Sequence, residues 1–231
     1  MTYAHLNPNY KESLEREWYV TSTQLLPPEK ELDRLKSADK NMKTLDLSCR
    51  QLHGSRIEMV CDMAKNNASI TEIDARGNGF DADGLYAIVE ALKTMPNVKK
   101  LNLRGNNCRN EGVTALGAYL KNDKTLVELN LNENLLGDEG AIEIAEGLKA
   151  NKTLQVIDLS LNFIGDEGAK AIAEMLEVNK TLKQLTISGN EIKDADLRAK
   201  VRARKPAKPL PMFAAKGPRV DGPLESGFAK V

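Results

Sequence analysis

The sequence predicts an α/β solenoid: a right-handed arc of about six strand–turn–helix units, with parallel strands on the concave face and helices on the convex face. Three observations predict it. A fifteen-residue phrase, "NLLGDEGAIEIAEGL" from Asn134, returns as "NFIGDEGAKAIAEML" from Asn162. The step of 28 between those asparagines, carried in both directions, lands on Asn78, Asn106 and Asn190 and misses only at Arg50. Aliphatic residues keep the same register: Leu45, Ile73, Leu101, Leu129, Ile157 and Leu185 in one column, Leu47, Ala75, Leu103, Leu131, Leu159 and Ile187 in the next. A fixed period of this length marks stacked repeats, each too small to bury its own apolar face.

Within one unit, "LVELNLNEN" alternates apolar and polar residues, the period of a short half-buried strand. Strands are expected near 44–48, 72–76, 100–104, 128–132, 156–160 and 184–188. The recurring Asn stands where the chain turns inward, and its amide can bond backbone groups that a turn leaves unpaired. A further column follows it, Leu52, Phe80, Cys108, Leu136, Ile164 and Ile192. Asp138 and Asp166 then stand where an N-cap belongs, ahead of apolar residues at helical spacing such as Ala141, Ile144, Ala145 and Leu148. Glycines recur as Gly84, Gly112, Gly140 and Gly168.

The units "TLVELNLNENLLGDEGAIEIAEGLKANK" and "TLQVIDLSLNFIGDEGAKAIAEMLEVNK" resemble leucine-rich repeats of the ribonuclease-inhibitor type. The resemblance runs from Asn41 to about Asp196 and is specific, because six registers agree. It implies long repeats with a full convex helix. The class includes ribonuclease inhibitor, the Ran GTPase-activating protein, the sensor region of NOD-like receptors and the C-terminal domain of tropomodulin, so it leaves the activity open.

Three segments are expected: an N-terminal extension and cap over 1–40, the solenoid over 41–196, and a cap helix with an extended basic tail over 197–231. The formal net charge of zero conceals a division. The last segment holds nine Lys and Arg against two acids, +7, whereas 41–196 carries −6 and 1–40 carries −1. Such a split is an argument about partners. "KDADLRAKVRARK" reads as a closing half-repeat whose Leu197 and Val201 continue helix columns. Beyond it, Pro206, Pro209, Pro211, Pro218 and Pro223 predict extended chain, with Met212 and Phe213 as bulky anchors. In the first segment, "YKESLEREW" and "PEKELDRLK" read as short helices, with Trp18 and Tyr19 able to cover the first repeat.

No apolar run is long enough to span a bilayer, and the N-terminus lacks an apolar signal core. Cys61 on a helix and Cys108 in a core column read as reduced, packed thiols, so a cytoplasmic protein is expected. The sequons at Asn67, Asn151 and Asn179 then belong to the join between units.

Candidate chemistry is weak everywhere. "GDEG" could hint at a divalent cation, but the dense acidic spacing of a calcium loop is missing, and helix capping explains both acids. "RGNGF" contains G-x-G without the third glycine or the acid of a dinucleotide fingerprint. His5 and His53 pair with no Cys or Ser in a nucleophile motif. No catalytic residue, cofactor, metal or small-molecule substrate is expected.

The concave face is more informative. One outward file reads Asp46, Asp74, Asn102, Asn130, Asp158, Thr186; the next reads Ser48, Arg76, Arg104, Asn132, Ser160, Ser188, basic at Arg76 and Arg104. In later repeats Leu135, Val156, Leu161 and Phe163 occupy outward or rim positions where other units place polar residues. They form a candidate docking patch, or a patch that the chain's own ends cover. A basic run, Arg198, Arg202, Arg204 and Lys205, leads to Met212 and Phe213. It fits an acidic protein surface better than nucleic acid, for it lacks interleaved aromatics and adjoins an acidic solenoid. The expected function is a non-catalytic interaction scaffold, a structural subunit of a larger intracellular assembly anchored by its tail. The resemblance tilts the setting toward cytoskeletal or ciliary assemblies. The alternative is a regulator of a GTPase or of filament ends.

Overall fold

A computed structural model describes residues 29–202 apart from Ala38 and His53. Six strands form one sheet in chain order, every neighbouring pair parallel. They are β1 (Thr44–Asp46), β2 (Glu72–Asp74), β3 (Lys100–Asn102), β4 (Glu128–Asn130), β5 (Val156–Asp158) and β6 (Gln184–Thr186). The helices are α1 (Glu29–Lys36), α2 (Ser55–Ala64), α3 (Ala82–Leu92), α4 (Arg109–Asn122), α5 (Asp138–Ala150), α6 (Asp166–Val178) and α7 (Ala195–Arg202). Pairing holds the 28-residue register throughout, with Leu45 beside Ile73 and Ile157 beside Leu185.

Regular strand is shorter than the expected five residues, three in every unit. The cause lies just downstream. Cys49, Gly77, Gly105, Glu133, Leu161 and Gly189 occupy one column, and all have φ between 55° and 72°. Left-handed backbone there bends the chain off the sheet toward the convex side. Hydrogen bonding outlasts the strand geometry, for Leu47 N donates to Asp74 O at 2.7 Å and Cys49 N to Arg76 O at 2.8 Å.

The aliphatic columns form one continuous core in which Leu45, Leu47, Leu101, Leu131 and Ile157 are buried. At the N-terminal end α1, from the "PEKELDRLK" stretch, lays Leu32 and Leu35 onto this core. At the other end α7 places Val201 in it, with Leu197 half-buried, as the column argument expects. Close stacking of α4 on α5 depends on two glycines. A Cβ on Gly147 would lie 2.3 Å from Gly117 O, and one on Gly117 would lie 2.6 Å from Glu143 O.

The buried asparagines fasten adjacent units. Asn162 Oδ1 accepts from Asn134 N at 2.9 Å and Leu136 N at 3.1 Å, both in the preceding unit. Its Nδ2 donates to Leu131 O, again one unit back, and to Leu159 O, both at 3.0 Å. Asn78 does the same for Arg50 N, Leu52 N, Leu47 O and Ala75 O. A second ladder runs through the joins. Asn151 Nδ2 donates to Leu120 O at 2.7 Å and Asn179 Nδ2 to Leu148 O at 2.6 Å, both side chains buried.

Candidate interaction surfaces

The "GDEG" phrase acquires its meaning from stacking. Asp138 and Asp166 are not the N-caps of their own helices; Gly137 and Gly165 hold those positions in extended backbone. Each Asp is instead the first helical residue, and its carboxylate reaches the next unit. Asp138 Oδ1 accepts from Gly165 N at 2.7 Å and Gly168 N at 2.8 Å, satisfying orphan donors at the start of α6. Asn110 serves Gly137 and Gly140 in the same way. Asp166 serves Lys193 N and Asp194 N, and those two hydrogen bonds hold its carboxyl below the usual range. The glycines provide the clearance, since a Cβ at Gly168 would lie 2.7 Å from Asp138 Oδ1. Motif and repeat are one device: each copy prepares the seat that the copy before it caps.

On the concave face the middle file turns inward more than a solvated surface would. Asn102 and Asp158 are buried, and their side chains accept from the backbone two residues on: Arg104 N at 3.2 Å and Ser160 N at 2.8 Å. Asp74 sits in the same file, and burial pushes its carboxyl up despite Arg76 at 3.6 Å, with Asp46 adding repulsion. Arg104 is exposed and pairs loosely with Glu133 at 3.8 Å. Lys100 reaches Glu128 at 2.9 Å across β3 and β4. Burial pushes the Cys61 thiol up to about 12 and raises Cys108 as well, leaving Cys49 as the exposed thiol. Among the described residues no group of three or more His, Cys, Asp or Glu is placed to hold a metal ion. No helix among them is long and apolar enough to cross a membrane.

The apolar patch is partly as expected. Leu161 and Phe163 are each 54% exposed and Leu135 is 42% exposed. All three lie in the turns where the strands end, and Leu135 and Phe163 hold the same column of adjacent units. Val156 does not belong with them: it is 1% exposed. It opens β5 in register between Glu128 and Gln184, so a longer side chain flanks it on either side, and Gln184 is itself buried. Of the basic residues, Arg202 is exposed at the end of α7, while Arg198 is engaged, donating to Ile192 O at 2.6 Å and Lys193 O at 3.2 Å. Arg204, Lys205, Met212 and Phe213 lie outside the described residues, as do Trp18 and Tyr19.

One surface escaped the sequence reading. On the opposite edge, where the strands begin, Lys99, Lys124 and Lys152 line a hollow of about 420 Å³ with Pro96, Val127 and Gln155. Its signal was the lysine that recurs at the joins as Lys124, Lys152 and Lys180; Lys99 lies outside that column.

Six in-register strand–helix units, stapled by buried asparagines, define an open βα solenoid. The leucine-rich repeat family model matches residues 94–117, 122–145, 150–173 and 178–199, so these four units are leucine-rich repeats, and the strands before them continue the same register. Among solved structures it is similar to leiomodin-1 actin-binding site 2, at 24% identity over 74% of this chain and 83% of that one, with a TM-score of 0.49. It is also similar to a tropomodulin C-terminal domain from Caenorhabditis elegans, at 14% identity over 75% of this chain and 87% of that one, with a TM-score of 0.47. No curated protein sequence matches it.

Proposed function

We propose that the protein is a non-catalytic interaction scaffold, a structural subunit of a larger cytoplasmic assembly of cytoskeletal or ciliary kind. One observation carries the reading: Leu135, Leu161 and Phe163 stand exposed together on a rigid edge. Leu161 does so with φ of 55°, a conformation that costs a β-carbon residue free energy and that Gly77, Gly105 and Gly189 occupy in other units. Apolar groups held out from a stable frame are what a docking edge requires. The basic residues from Arg202 through Lys205, followed by Met212 and Phe213, supply a second attachment with charge and apolar anchors, directed at an acidic protein surface.

The test is co-sedimentation with the assembly from native extract. Leu161→Asn with Phe163→Ser should reduce co-sedimentation, and so should removal of residues 205–231, which should leave the melting transition of the solenoid nearly unchanged. If both variants sediment with the same proteins as the full chain, the scaffold reading is wrong.

A further inference from the structure

The two edges of the solenoid carry opposite charge and complementary relief. Where the strands end, Leu135, Leu161 and Phe163 project among Glu133, Asp138, Glu139, Asp166, Glu167 and Glu191. Where the strands begin, three successive loops form the open hollow of about 420 Å³, lined by Pro96 and Val127 together with Lys99, Lys124 and Lys152. All three lysines are exposed, and none is in an ion pair among the described residues. Lys180, in the same register one unit further on, extends the basic edge.

We infer that the occupant of this edge is a second copy of the chain, the Leu161–Phe163 knob of one copy seated in the lysine-lined hollow of the next. The inference rests on the reading of the strand-end edge as a docking surface and names what docks there. Three features favour a second copy. Charge is the first: an acidic rim with apolar knobs meets a basic rim around a partly apolar hollow, and the polypeptide as a whole is neutral. Position is the second. The hollow is built from the loops before β3, β4 and β5, and the knobs from the turns after β4 and β5, so both lie in the same stretch of the arc. Because all six strands are parallel, these turns and loops lie at opposite ends of the strands. Two copies stacked edge to edge therefore bring knob and hollow together with little lateral offset.

Symmetry is the third. Knob and hollow are different surfaces, so the contact is heterologous, and each joined copy keeps one free knob and one free hollow. Such a contact propagates as a row and does not close as a dimer. Apolar insertion sets how long copies stay together, and the opposed rims set how fast they meet and how strongly salt weakens them.

Sedimentation velocity of the full chain over roughly a hundredfold range of concentration tests this. The knob variant is Leu161→Asn with Phe163→Ser, where Asn suits the left-handed backbone at 161. The hollow variant is Lys99→Glu, Lys124→Glu and Lys152→Glu, all at exposed positions, with circular dichroism confirming that each variant folds. The full chain should grow beyond a dimer with concentration, and less so at about 500 mM salt than at about 50 mM. Each variant alone should associate about tenfold more weakly or worse. An equimolar mixture of the two should form a single one-to-one heterodimer and stop, because each lacks the surface needed to continue. A full chain that stays monomeric, association undiminished in either variant, or a mixture that associates no better than either variant alone overturns the inference. The docking-edge reading fails separately: if the full chain is monomeric while the knob variant still loses its native partners, only self-docking falls.

Discussion

Replacing Asn162 with Ala should destabilise the solenoid by about 3 kcal/mol, toward the upper end for one buried polar side chain. Asn162 is buried and joins two units through four strong hydrogen bonds. It accepts from Asn134 N and Leu136 N, and donates to Leu131 O and Leu159 O. Alanine leaves two N–H groups and two carbonyls without that partner, in a place too tight for free access of water. A buried group left unsatisfied costs about 1–3 kcal/mol, and partial relaxation keeps the sum well below the arithmetic total. Asn134 is the internal control. Its Oδ1 is buried without a partner, and in the loop one unit back the backbone departs from the pattern: Arg109 has φ of 52° and donates its N–H to the main-chain Asn134 O. Only its donations to Leu103 O and Asn132 O are lost in Asn134→Ala, for an expected cost of about 1–2 kcal/mol. Urea unfolding followed by far-ultraviolet circular dichroism reads both values. Asn162→Ala should also broaden the transition, since weakening one interface in a stack separates the units on either side. Equal losses for the two variants, or a loss below about 1 kcal/mol at Asn162, would refute the stapling argument.

Gly147→Ala should cost about 2 kcal/mol net: overpacking against Gly117 O of about 3, offset by about 1 of helix propensity. A stabilised variant in the same urea assay would show that α4 and α5 are not in backbone contact. Asp138→Ala should cost about 1–2 kcal/mol by uncapping α6, the helix after its own. Asp138→Asn should be milder, since Asn110 caps α5 with an amide; backbone hydrogen exchange at Gly165 and Gly168 locates the effect. Asp74→Asn should raise the melting temperature at neutral pH. The folded carboxyl titrates above its unfolded value, so ionisation as pH rises through that window disfavours the fold, and stability is regained on acidification. The advantage of Asn should therefore shrink below about pH 4 in thermal melts, and a melting difference that ignores pH would remove burial as the cause.

Much of the exposed apolar edge was legible in the sequence. Leu161 breaks a column otherwise held by Cys, Gly and Glu, and an apolar residue out of register with a core column has nowhere to go but out. The same logic failed at Val156. Its neighbours on the concave face are 28 residues away in either direction, and only the pairing of the strands brings those longer side chains alongside it. Asp138 was legible as a cap and misread as to which helix it serves. An acid at a helix start satisfies a local rule and a stacking rule equally well, and pattern alone cannot separate them.

By itself the sequence determined the architecture: the 28-residue period, the two aliphatic columns, the turn asparagines and the closing half-repeat. A period repeated six times averages over local ambiguity, and burial of a shared core rewards only one register. Tertiary structure decided everything that passes between units or across edges: the carboxylate that caps the following helix, the glycines that admit it, and the asparagine amides that span two turns. It also set lysines from three loops around one hollow, on the edge opposite the exposed leucines and phenylalanine. These are relations between residues a whole repeat apart, so they arise only when stacking brings the copies within hydrogen-bonding distance.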